Sequence, residues 1–141
     1  MTADLMNKQI KEFNPTIYPI RVWVANNVPI KQVMDKFNVR TSTGEATNFI
    51  EEDFSKDNGV TASTYIVFDK KTKQGGTLVY IFAPKRARVN IICHEAAHCA
   101  DFICETFGIN KGSYEDGEAY AYLIGWVAEC IDSVLRKIKY K

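Results

Sequence analysis

The chain has two histidines in 141 residues, and both lie in one string, His94-Glu95-Ala96-Ala97-His98. Residues four apart on an α-helix share a face one turn apart, so both imidazoles can reach a single metal ion. Glu95 stands at the edge of that face, where a carboxylate can take a proton from a metal-bound water. These residue types at this spacing point to a zinc ion (Zn2+) and to hydrolysis, with a peptide bond as the expected target.

Two histidines do not complete a catalytic zinc site, which uses three protein ligands and one open position. Cys104 stands six residues after His98, but on an unbroken helix it points roughly 240° away from it. Asp101 and Glu105 share the histidine face. Glu105 lies ~16 Å along the axis from His94. Asp101 is marginal as a ligand and better suited to orienting His98 or pairing with a base. No cysteine precedes Cys93, so a ligand from upstream of the deformylase kind is not offered. Glu118 remains, in the first turns of the next expected helix. An antiparallel return would bring that residue alongside the far end of the metal helix, so a particular loop and entry angle must carry it back.

The string H-E-A-A-H followed by a helix-borne glutamate resembles the gluzincin branch of the zincin metallopeptidases. The likeness covers about residues 84–126, and small stand-alone zincin-like proteins, phage-encoded ones among them, have this length. It implies a zincin-like domain with His94, His98 and Glu118 as zinc ligands and Glu95 as general base. The Asn-Glu-x-x-x-Asp string of thermolysin-like members is missing: Gly117 precedes Glu118, and Tyr122 sits where the aspartate would be. With no third histidine, the donor to a tetrahedral intermediate would have to be a tyrosine. Tyr114, just ahead of the last helix, and Tyr122, one turn after Glu118, are the candidates. Aromatic packing is the alternative role for both. A non-catalytic zincin-like module that binds a partner protein is the rival reading. The retained Glu95 counts against it, because a structural site needs no base.

The elements that must position these residues follow from periodicity. Leu5, Met6, Ile10 and Phe13 recur at helical spacing and predict a short leading helix. Ile17–Val24 reads as a strand. Pro29 opens a helix carrying Ile30, Val33, Met34 and Phe37. Residues 39–60 are polar and read as a long loop with a short strand near Asn48-Ile50. Such a length is unusual unless it walls a cleft. Thr64–Phe68 and Thr77–Phe82 are β-branched and aromatic runs joined by a charged turn, a hairpin pattern. The second of them leads into the metal helix and is the expected neighbour of the cleft. That helix runs from about Lys85 to Phe107, is apolar nearly all round and is expected to be buried, with Gly108 as its C′ residue. Ser113-Tyr114-Glu115-Asp116 reads as a capping box opening a last helix to about Lys137. The sum is one α+β domain, residues 1–141, with a few-stranded mixed sheet packed on the metal helix and a long C-terminal helix.

Eighteen basic against seventeen acidic side chains leave a net charge of +1. No global field for nucleic acid follows. Lys85-Arg86-Ala87-Arg88 and the run from Arg136 to Lys141 are local exceptions; the expected role of the latter is to complement the dipole at a helix C-terminus, with nucleic-acid or partner binding as the alternative. No stretch approaches the ~20 apolar residues of a membrane span. The N-terminus lacks the apolar core of a signal peptide. A cytoplasmic protein acting on a peptide or protein substrate is expected, with Cys93, Cys99, Cys104 and Cys130 reduced and buried rather than bridged.

Overall fold

The computed structural model describes residues 10–49 and 59–137. Six strands form in chain order: β1 (Ile10–Phe13), β2 (Arg21–Asn26), β3 (Phe37–Arg40), β4 (Ala46–Thr47), β5 (Ala62–Asp69) and β6 (Gly75–Ile81). They make one sheet in the order β1-β2-β6-β5-β3-β4. The β2–β6 pair is parallel and the other four pairs are antiparallel. Among the described residues three helices, α1 (Ile30–Lys36), α2 (Val89–Phe107) and α3 (Glu118–Arg136), and a 3-10 turn at Pro84–Arg86 complete the α+β domain.

Side chains alternate along a strand, and the central strands use both faces. Val22, Val24, Val79 and Ile81 pack on Ile92, Ala96 and Cys99 of α2 and on Val127 and Ile131 of α3. Trp23, Ala25, Leu78 and Tyr80 point the other way, into a second core with Val28, Val33, Phe37 and Phe49. The register places Arg21 opposite Gly76. A Cβ at Gly76 would lie 1.8 Å from the Arg21 carbonyl oxygen, so this crossing of β2 and β6 requires glycine.

The hairpin is as expected, and its turn has a polar anchor. Asp69 is buried, accepts a hydrogen bond from Lys36 Nζ at 2.8 Å, and accepts the backbone N–H groups of Lys71 and Thr72. Burial pushes its carboxyl upward, but Lys36 and the two amides outweigh it and bring the group down to about 2.

Several expectations are corrected. Ile10 and Phe13 belong to strand β1, not to a leading helix, because pairing with Ala25 and Val22 of β2 outweighs a weak helical pattern. Leu5 and Met6 lie outside the described residues. The strand expected from Ile17 starts only at Arg21. Pro15-Thr16-Ile17 instead forms a γ-turn, with Ile17 N–H on the Pro15 carbonyl at 2.8 Å and Thr16 at φ 73°. The described part of 39–60 is not structureless: β3 and β4 pair within it, and Phe49 is buried against Tyr65 at 5.2 Å between ring centroids. Residues 50–58 lie outside the described residues. The capping box does not open α3. Ser113 and Asp116 close a separate turn through the Ser113 hydroxyl, and α3 begins at Glu118 with Gly117 at the N-cap.

Candidate metal centre

Helix α2 carries the H-E-A-A-H string. It starts just after the 3-10 turn and ends at Gly108, whose φ of 67° supplies the left-handed cap. Ile92, Glu95, Ala96, Cys99, Ala100, Ile103 and Cys104 are its buried residues, on the side toward the sheet and α3. His94 and His98 fall on the side that neither covers and are exposed. The expectation of a helix buried all round is therefore corrected. One face of the sheet lies under α2, and the histidine edge opens into a cleft of about 720 Å³ beside β5.

The two rings meet edge to face, with Nε2 of His94 3.2 Å from Nε2 of His98. Two nitrogens bound to one tetrahedral zinc at ~2.0–2.1 Å stand roughly 3.3–3.4 Å apart, so the pair fits a shared ion. Glu95 is 5% exposed and lies directly under the pair, with Oε2 3.9 Å from His94 Nε2. Its other oxygen accepts the Thr64 hydroxyl at 2.8 Å. Thr64 is on β5, so the carboxylate is fixed from the sheet while the histidines are fixed from the helix. Sequence pattern alone gave no sign of Thr64, because an alternating β-branched strand has a threonine at many positions.

The remaining predicted site residues are not brought to the pair. Glu118 does not line the cleft. The reason is the antiparallel course of α3: Leu123 packs on Ala100, Ile103 and Cys104, near the far end of α2, and Glu118 lies about 7.5 Å further on. Tyr114 is 99% exposed in the connecting loop. Tyr122 lines a separate apolar hollow with Tyr18 and Trp126. Among the described residues no group of three or more His, Cys, Asp and Glu is gathered around one ion-sized point. The histidine pair fits zinc, and no third protein ligand stands beside it among the described residues.

Asp101 and Glu105 do line the cleft, and both are paired with a base. Lys111 Nζ lies 3.3 Å from Asp101 and 3.1 Å from Glu105, tying the loop after α2 back to the cleft. Those two hydrogen bonds hold the ammonium above its usual range. Tyr120 is held above the usual phenol range by burial and then by the nearby Asp101 carboxylate. Of the cysteines, all free, Cys99, Cys104 and Cys130 are buried while Cys93 is exposed, which corrects the expectation for that one. Burial pushes the Cys99 and Cys130 thiols up to about 12, so neither offers a thiolate.

The expected cleft neighbour, Thr77–Phe82, lines the cleft only through Thr77; its strand β6 is interior, between β2 and β5, and Ala62–Ile66 of β5 makes most of the sheet-side wall. β3 pairs only with Ile66–Asp69, so β5 runs past the end of its neighbour on that side. Hydrogen bonds from Asp69 N–H to Gln74 and from Phe82 N–H to Thr61 direct the odd-numbered residues of β5 toward β6. The backbone groups of Ala62 and Thr64 therefore face the edge that β3 leaves. Among the described residues no helix is long and apolar enough to cross a membrane. Compared with protein-family models, curated proteins and solved structures, the chain gives no match.

Proposed function

We propose that this chain is a zinc-dependent peptidase of the zincin kind. The observation that carries the proposal is the 3.2 Å meeting of His94 and His98 Nε2 directly above the buried, hydrogen-bonded Glu95. A structural histidine pair has no need of a carboxylate buried beneath it and aimed at its cleft.

His94 and His98 would hold the ion. Bound there, zinc would supply Lewis acidity and a water acidic enough to ionise near neutral pH. Glu95 has one oxygen anchored by Thr64 and the other turned toward the histidines, the arrangement a general base needs to take a proton and return it to a leaving amine. The backbone edge at Ala62 and Thr64, which no strand of the described residues covers, can pair with an extended peptide, laying its carbonyls along the histidine side of α2. Tyr114 and Tyr122 have no part in this arrangement. Glu118, the ligand implied by resemblance, has a part only if the loop from Gly108 to Gly117 moves.

A second reading, a non-catalytic zincin-like module that binds a partner, is favoured by one observation: the described residues give the histidines no third ligand. The test is metal analysis of the purified protein together with hydrolysis of an unstructured protein substrate by wild type and Glu95→Gln. Wild-type hydrolysis lost in Glu95→Gln, with metal retained in both, supports the peptidase. Metal without hydrolysis in either supports the module.

A further inference from the structure

The net charge of +1 conceals a separation of charge along the α2–α3 hairpin. The first basic run and Arg136, where the second begins, are far apart in the chain, yet they lie at one end of the fold. Lys85 and Arg86 lie in the 3-10 turn, and Arg88 is the N-cap of α2. The antiparallel return of α3 brings Arg136 near Arg88, and the two line one hollow of about 570 Å³. The carboxylates at this hollow are Glu129 and Asp132, the latter paired with Arg136. Lys85, Arg86 and Arg88 are exposed, and their side chains make no ion pair among the described residues.

Three further features give this surface its character. Helix α2 opens with no side-chain cap and no acidic residue in its first turn, so its positive end is not neutralised. The charged residues lining the catalytic cleft, apart from its histidines, are Glu95, Asp101 and Glu105, all of the opposite sign. Lys111 pairs with Asp101 and Glu105 and so offsets part of that acidic lining, whereas no carboxylate stands in the first turn of α2. The hollow itself sets Arg88 and Arg136 against Glu129 and Asp132, so the excess of cations comes from Lys85 and Arg86 in the adjoining turn and from the uncapped helix N-terminus, groups that hold phosphates.

We propose that this basic end of the α2–α3 hairpin binds the phosphate backbone of a nucleic acid without sequence preference. The inference does not depend on zinc or on hydrolysis. Its effect would be to hold the protein on a nucleic acid with the cleft directed away from it.

The experiment is binding of the full chain to a short random-sequence DNA duplex, followed by fluorescence anisotropy between about 50 and 200 mM salt. Affinity is expected to fall steeply with salt. The triple variant Lys85→Gln, Arg86→Gln, Arg88→Gln is expected to weaken binding by about tenfold or more at low salt and to reduce the log–log slope by about 3, one per lost cation. Circular dichroism checks that the triple variant is folded. Lys71→Gln with Lys73→Gln, at the exposed tip of the β5–β6 hairpin, is expected to leave binding within twofold. No measurable binding by wild type overturns the proposal, as does binding by the triple variant at wild-type strength and slope. An equal loss in the Lys71/Lys73 variant, or binding to phosphatidylserine vesicles but not to DNA, likewise overturns it.

Discussion

Thr64 on β5 and Glu95 on α2 are joined across the cleft by a 2.8 Å hydrogen bond from the threonine hydroxyl to the carboxylate. It makes the sheet, rather than the helix, the element that orients the proposed base. Glu95→Gln keeps the shape and removes the base, so hydrolysis should fall by about 10²–10⁴-fold. Thr64→Val keeps the volume and removes only the donor. A hydrogen bond to a charged group is worth ~1.5–3 kcal/mol, so kcat should fall about tenfold or more with KM and metal content unchanged. Steady-state kinetics on both variants checks this; a Thr64→Val enzyme with wild-type kcat would remove Thr64 from the mechanism.

The histidine pair and Glu118 make separable predictions. Purified protein should carry about one zinc per chain. His94→Ala and His98→Ala should each lose it, measured by elemental analysis after dialysis. Glu118→Ala distinguishes a loop that moves from one that stays. Loss of zinc in that variant means that Glu118 joins the histidines when the ion is bound. Retention means that it does not, and Asp101, which already lines the cleft beside His98, becomes the carboxylate to replace next.

How far the sequence disclosed this arrangement depended on whether a feature was local. Helix α2, its glycine cap and the β5–β6 hairpin were legible because periodicity, Gly108 and the charged turn are each written in neighbouring residues. Strand β1 was not. Its four residues are held by pairing with β2, and only the fold supplies that partner. Likewise His94, Glu95 and His98 were found from one string, whereas Thr64 comes from 31 positions upstream and has no distinguishing pattern. Glu118, Tyr114 and Tyr122 were reached through a resemblance and an assumed crossing of helices. The antiparallel course of α3 carries its first turn to the far end of α2 instead, and that angle is set by the loop and the packing of Leu123.

Asp69 should make stability depend on acid. Its carboxyl lies at about 2 in the folded protein against an ordinary value of 3.8. A group depressed in this way stabilises the fold above its unfolded value and loses that contribution as pH falls toward the folded one. The contribution, about 2 kcal/mol, should thus be complete above pH ~4 and fade between about 4 and 2. Urea unfolding of wild type and Asp69→Asn across that range checks it. The variant should be less stable at pH 6, with the difference narrowing as pH falls. A constant difference would mean that the hydrogen bonds to Lys71 and Thr72, not the charge, are what the asparagine loses.

The edge of β5 offers a residue-by-residue test of where a substrate would lie. Ser63 and Tyr65 have backbone groups turned toward β6, while those of Ala62 and Thr64 face the side that β3 leaves after Ile66. An extended ligand pairing with this edge protects alternate amides. Amide hydrogen exchange by NMR, with and without a peptide hydroxamate in the presence of zinc, should therefore slow at Ala62 and Thr64 and change little at Ser63 and Tyr65. Protection equal at all four positions would indicate general tightening of the hairpin rather than strand addition. Protection confined to α2 would move the ligand off the sheet edge and onto the exposed histidine face alone.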